Sequence, residues 1–198
     1  MGRPKMASDA EVLERAFPVI AREGFDSFTL AQVRRATGLS PAALIKRFGT
    51  KKRLAVLARD QGWRRLLAAF DTERTAARGL AGIDALVRAI ARSVDSLRLD
   101  EHLRRLSEDA AHPTLRRSAG RFFARTREAL RTFVAEAVES GELVGEVDAA
   151  ELAGQLEAMI QGAIFQYGFV ETDDGIETWL RRRIHGLLAP HRGPVERW

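Results

Sequence analysis

The sequence predicts an all-α fold, and three observations carry that expectation. Apolar residues recur at three- and four-residue spacing along most of the 198 positions. Ser, Thr and Asp stand where these patterns start, and Gly and Pro fall between them. No segment shows the period-two alternation of a half-buried strand. The expected architecture is an N-terminal three-helix domain containing a helix-turn-helix, joined by a fourth helix to a helical bundle. The boundary is placed between residues 54 and 55, with the motif at 29–48.

Each element has its own justification. Ser8-Asp9-Ala10-Glu11 is a capping box, and Leu13, Ala16, Phe17 and Ile20 follow at helical spacing up to a stop at Gly24. Pro18 lies inside this helix, where loss of a hydrogen bond costs about 3 kcal/mol, so it belongs on the exposed face. Thr29-Leu30-Ala31-Gln32 is a second capping box, opening a short helix to Thr37, with Gly38 suited to a left-handed position. Ser40 is a good N-cap and Pro41 fits the first helical position of a third helix reaching Phe48. Thr50 starts a longer fourth helix containing Leu54, Leu57, Ala58, Trp63, Leu66 and Leu67. Further helices are expected over Ile83–Leu97, Asp100–Ala110 (broken by His112-Pro113), Leu115–Val138, Asp148–Phe169 and Ile176–Leu188, with a frayed tail after Pro190.

Composition narrows the function. Forty-five per cent apolar residues suffice for a core. Cysteine is absent, which removes disulfides, thiolate metal sites and a cysteine nucleophile and fits a reducing cytoplasm. The start, MGRPKMASD, lacks the apolar stretch of a signal peptide, and no run approaches the roughly 18 apolar residues that span a membrane. The four histidines, His102, His112, His185 and His191, have no metal-ligand spacing, so neither metal nor cofactor is expected. The net charge of +5 is placed unevenly. Residues 1–55 carry 11 basic and 5 acidic side chains, and the remainder 21 and 22. Between Ser27 and Ala58 there are seven cations (Arg34, Arg35, Lys46, Arg47, Lys51, Lys52 and Arg53) and no acid. A basic head on a near-neutral body points to a polyanion as partner.

The third helix is expected to turn Leu44 and Phe48 inward and to present Pro41, Ala42, Ile45, Lys46 and Arg47. Arg and Lys suit guanine edges and phosphates, whereas small apolar groups suit thymine methyls. Lys51-Lys52-Arg53 occupies a first helical turn, where the dipole favours acids. Three cations there violate a local rule, as happens where function overrides stability. Phosphate would be favoured there by both the cations and the free N–H groups.

With these residues in place, the first ~65 positions resemble the DNA-binding domain of TetR-family transcriptional regulators. Phe17, Gly24-Phe25, Thr29, Gly38-Leu39-Ser40, Leu44, Phe48, Lys51 and Leu54 match that pattern without a gap. The remainder is similar in length and helical rhythm. The chain departs from the pattern at Ile45, where the family usually has Tyr, at Arg47, where it has His or Tyr, and at Arg34, where it favours Ala. Arg34 therefore reaches outward or alters helix docking, and Ile45 is suited to a thymine methyl. The resemblance implies contacts to double-stranded DNA from Thr29, Arg34, Ser40, Pro41, Ala42, Ile45, Lys46, Arg47 and Lys51. A short basic arm, Arg3 and Lys5, would enter the minor groove.

The resemblance also implies a homodimer and a small-molecule effector. Gly154, Ala158 and Gly162 form a small-residue ridge on the penultimate helix. With Trp179, Leu180 and Ile184 on the last helix it is the expected dimer interface. The nominated pocket residues are Trp63, Phe70, His102, Phe122, Phe123, Phe165 and Tyr167. The expected function is a ligand-responsive repressor that binds a palindromic operator as a cytoplasmic homodimer, without a membrane partner. Two other classes stay open. One is a sequence-nonspecific DNA-packaging protein. The other is a small helical enzyme with an incidental basic face, disfavoured by the lack of a phosphate loop, nucleophile motif or His/Glu cluster.

Overall fold

The structure, a computed structural model, describes residues 7–74, 77–95 and 99–193. These residues form nine α-helices and a closing 3₁₀ turn. The helices are α1 (Asp9–Glu23), α2 (Leu30–Thr37), α3 (Pro41–Phe48), α4 (Lys51–Arg74), α5 (Gly79–Asp95), α6 (Leu99–Ala111), α7 (Pro113–Glu139), α8 (Ala149–Tyr167) and α9 (Ile176–Leu188). The only extended pairing among the described residues is an isolated bridge between Leu143 and Arg192. The chain divides into two compact units: Met1–Arg65 with Glu101–Ala119, and Leu66–Asp100 with Gly120–Trp198. Helices α4 and α7 each contribute residues to both units. The division expected at residues 54 and 55 runs along the chain, whereas compactness returns most of α6 to the first unit.

In the first unit the caps anticipated from sequence are made. The Ser8 hydroxyl accepts from the Glu11 N–H at 3.3 Å, and the Glu11 carboxylate accepts from the Ser8 N–H at 2.6 Å. Helix α1 runs through Pro18, which is exposed. Thr29 and Gln32 make the reciprocal pair at the start of α2. Gly38 takes φ 75°, ψ −4°, a left-handed conformation that costs a side-chain-bearing residue energy, and its N–H donates to the Arg34 carbonyl. Ser40 caps α3 by accepting from the Ala43 N–H at 3.2 Å. The core joins Val12, Ala16, Ile20, Phe28, Val33, Leu44 and Leu54, all fully buried. The turn between α2 and α3 is thereby fixed at both ends by caps and underneath by apolar packing.

The second unit has its own core from α5, α7, α8 and α9. Leu130, Leu156, Ile160, Leu180 and Ile184 are fully buried in it. Asp148 caps α8 by accepting from the N–H groups of Ala150 and Glu151 at 2.8 and 3.1 Å. The Trp179 indole N–H donates to the Ala163 carbonyl at 2.9 Å, tying α9 to α8. The tail, expected to fray after Pro190, is held as far as Gly193. The Val144 N–H donates to His191, and the Gly193 N–H to Glu142, at 2.7 and 3.1 Å.

Candidate nucleic-acid interface

Leu44 and Phe48 point into the core, so the outer surface of α3 is what remains: Ala42, Ile45 and Lys46 are exposed, with Pro41 half-buried. Ile45 is 37% exposed, a large apolar side chain left in water on the helix that carries the basic residues. Exposing that surface costs hydrophobic free energy, which a base methyl group would recover. Arg34 and Arg35 on α2, and Lys52 and Arg53 on α4, are exposed as well. The departure at Arg34 is accommodated by turning the side chain outward.

Two of the seven cations are already committed. Arg47, expected to point outward, turns back instead and is only 21% exposed. Its Nε donates to Asp9, and its Nη2 donates to the Ala7 carbonyl at 2.6 Å. Asp9 lies in the first turn of α1, so Arg47 clips the end of α3 to the start of α1. Lys51 donates to the Asp26 carbonyl at 2.8 Å and sits 4.8 Å from the Phe28 ring centroid, over the loop between α1 and α2. Thr29 and Ser40 spend their hydroxyls on caps. The remaining five cations (Arg34, Arg35, Lys46, Lys52 and Arg53) have no carboxylate at ion-pair distance among the described residues. Arg3 and Lys5 lie outside the described residues.

A second polar cluster in this unit was missed from sequence. Arg59 of α4 is 1% exposed and donates to Glu108 at 2.9 Å, to Asp109 at 2.6 Å and to the Arg105 carbonyl at 2.8 Å. Trp63 donates its indole N–H to Asp109 at 2.9 Å. Burial pushes the Asp109 carboxyl above its usual range, against the opposing pull of Arg59 and the Trp63 N–H. Arg104 donates to the Ala21 and Arg22 carbonyls at 3.1 and 2.7 Å, and Glu108 accepts from the Phe25 N–H at 3.2 Å. Helix α6 therefore caps the end of α1, satisfying orphan carbonyls next to Gly24, whose φ of 97° suits glycine. The clue in the sequence was Arg59, which falls four residues from both Ala55 and Trp63, on the buried stripe of α4.

The nominated pocket residues are shared between the two units. Trp63 and His102 meet through Arg105 in the first unit. Phe122 and Phe123 contact each other on α7 in the second. Tyr167 packs on Trp179 and donates its hydroxyl to the Asp174 carbonyl at 3.0 Å. Phe165 is not inward at all: it is 56% exposed and packs on Phe169, itself 70% exposed. The side chain of Phe70 lies outside the described residues. Of the nominated dimer residues, Trp179, Leu180 and Ile184 are core of a single chain. They are not surface residues, because the twofold stripe of α9 is spent on α8 and α5. Ala158 and Gly162 are exposed and Gly154 half so, and a Cβ placed on either glycine would meet nothing within 4 Å. No described group of His, Asp or Glu is arranged to hold a metal ion, and no described helix is long and apolar enough to cross a membrane.

Residues 12–57 match the family model for bacterial regulatory proteins of the tetR family, and residues 107–182 match a tetracyclin repressor-like C-terminal domain. No curated protein matches the sequence. Among solved structures, a TetR-family transcriptional regulator from Cytophaga hutchinsonii is 18% identical with a TM-score of 0.70, covering 98% of this chain and 100% of its own. A TetR transcriptional regulator from Chloroflexus aurantiacus is 22% identical with a TM-score of 0.70, covering 94% and 96%. The fatty acid degradation regulator FadR from Bacillus halodurans is 14% identical with a TM-score of 0.66, covering 97% and 100%. The helix-turn-helix head, the helical second unit and the two family matches agree: this chain belongs to the TetR family and is a DNA-binding transcriptional regulator.

Proposed function

We propose that this regulator is a repressor that binds a palindromic operator as a homodimer and releases it when a small molecule binds. Residues 1–54 are read as the DNA-binding region and 55–198 as the effector and dimerisation region. The observation that carries the reading is the outer face of α3, with Ala42, Ile45 and Lys46 exposed among five uncommitted cations. In the major groove, Lys46 would meet a guanine edge or phosphate and Ile45 a thymine methyl. Ser40, Pro41 and Thr29 would let the backbone at the starts of α2 and α3 approach phosphates, with Arg34 and Lys52 beside them. Arg47 and Lys51 hold the head together, and the Arg3–Lys5 arm is assigned to the minor groove.

One recognition helix spans too few base pairs for a unique site, and two related by a twofold axis reach half-sites about 34 Å apart or a multiple of that. The small-residue ridge Gly154–Ala158–Gly162, half exposed at Gly154 and exposed at the other two, is continued by exposed Phe165 and supports α8 as the meeting face for a second copy. An effector that binds better to a body shape in which the two heads are misplaced must weaken DNA binding by the same coupling free energy. The unbroken α4 from Lys51 to Arg74 supports its role as the connecting lever. A soluble cytoplasmic protein and no catalysis complete the reading.

The test is selection of bound fragments from the source genome, followed by footprinting with competitor DNA. A single palindrome protected in excess competitor is expected. Equal affinity for any duplex would refute the reading and favour nonspecific packaging.

A further inference from the structure

Between Ser27 and Ala58 there is no acidic residue, and on α2, α3 and the turn between them only Gln32, Thr37 and Ser40 have side chains that accept hydrogen bonds. Each is engaged. The Gln32 carboxamide oxygen accepts from the Thr29 N–H at 2.7 Å and from the Thr29 hydroxyl at 2.9 Å, and the same side chain hydrogen-bonds Glu23. Thr37 is buried; its hydroxyl donates to the Val33 carbonyl at 2.9 Å and accepts from the Leu39 N–H at 3.3 Å. The Ser40 oxygen accepts from the Ala43 N–H at 3.2 Å. What projects outward is of two kinds. Arg34, Arg35 and Lys46 are donors. Ala42 and Ile45 are apolar and lie about one helical turn apart, on the surface of α3 that Leu44 and Phe48 leave outside the core.

We propose that Ile45 determines operator specificity by reading the C5-methyl group of a pyrimidine, so that thymine and 5-methylcytosine are equivalent to it and uracil and cytosine are not. In the major groove thymine is marked by that methyl, adenine by an N6 amino donor and cytosine by an N4 amino donor. Reading an amino donor takes an acceptor, from Asn or Gln for adenine and from Asp or Glu for cytosine, and α3 carries none of these residues. Its apolar surface can read a methyl. Ile45 is 37% exposed and branched at Cβ, so it presents a stiff apolar end with no hydrogen-bonding group. Such a side chain is indifferent to whether the O4 of thymine or the amino group of 5-methylcytosine lies beside the methyl. Arg34, Arg35 and Lys46 are left for guanine edges and phosphates. This role rests on the operator-binding reading of α3 given above and extends it to a chemical mark: methylation of a cytosine at this operator position strengthens binding.

The full-length protein is titrated by fluorescence anisotropy against the footprinted operator, with each thymine in turn replaced by uracil in both half-sites. The replacement removes the methyl and leaves every hydrogen-bonding group of the base in place. At one symmetric thymine position affinity should fall about fourfold per half-site, or about 15-fold for the palindrome, the worth of one buried methyl. With a C·G pair placed there, 5-methylcytosine should bind tighter than cytosine by a similar factor. In Ile45→Ala both ratios should fall towards unity. Should that variant not fold, Ile45→Gln, a good helix former, is read in its place. The proposal is overturned if no thymine position responds to uracil, if 5-methylcytosine binds no tighter than cytosine, or if the Ile45 variant keeps both ratios. Equal affinity for every duplex refutes the palindromic-operator reading together with it, whereas a protected palindrome indifferent to uracil refutes the role of Ile45 alone.

Discussion

Lys46 and Arg47 are neighbours of the same charge on the same helix, and the structure gives them opposite surroundings. Lys46 is exposed and uncommitted, whereas Arg47 is tied to Asp9 and the Ala7 carbonyl. Salt dependence separates the two. Each phosphate neutralised contributes about −0.9 to the slope of log affinity against log salt. Between 50 and 200 mM salt one lost contact changes affinity by about 3.5-fold, or about 12-fold for the two heads of a dimer. Lys46→Ala should therefore weaken operator binding and make the slope shallower by about 1.8 for the dimer. Arg47→Ala should leave the slope at the wild-type value. Its pair with a 67%-exposed Asp9 is worth at most about 1 kcal/mol to stability. The assay is fluorescence anisotropy with the footprinted operator across that salt range, with thermal melts of each variant. Equal loss of slope in both variants would refute the division of labour, because it would show that Arg47 leaves Asp9 for a phosphate.

Other expectations follow from burial. The His102 pKa falls from an ordinary 6.5 to about 4 on folding, so the unfolded chain takes up a proton before the folded one does. Stability should then fall as pH drops from 6.5 towards 4, by about 2 kcal/mol at pH 5. Urea melts should show that loss in the wild type, and a His102→Gln variant that keeps the same loss would refute the origin. Asp109→Ala leaves the buried Arg59 short of a partner and should cost about 3 kcal/mol in denaturant melts. The paired replacement Arg59→Met with Asp109→Leu should recover most of it, and an additive loss in the pair would reject a coupled bridge. Gly162→Leu, at a position where a Cβ meets nothing within its own chain, should leave the melting temperature per protomer nearly unchanged while weakening self-association in sedimentation. A dimer of undiminished strength would move the interface away from this face of α8.

How far the sequence reached is clearest at the head. Ser8, Thr29 and Ser40 each accept from a backbone N–H three residues on, and Gly38 relieves a conformation set within its own turn. Such interactions are local, so spacing alone locates them, and α2, α3 and their turn were legible to within a residue. The fate of Arg47 was not. Its partner Asp9 lies 38 positions earlier, and only the docking of α3 on α1 brings them together. Trp179, Leu180 and Ile184, buried in the core of their own chain, are the converse case. An apolar stripe reads the same whether its partner is a helix of the same chain or of a second one.

The sequence by itself determined the helical class, the helix-turn-helix and the concentration of positive charge at residues 1–55, because capping, periodicity and charge density are properties of neighbours in the chain. Only the tertiary structure decided which cations are spent and which are left over. It also decided that α6 caps α1 and that Arg59 and Asp109 form a buried pair 50 positions apart. Burial, and the ion pairs it makes necessary, depend on which helices meet, and that is a property of the packed chain.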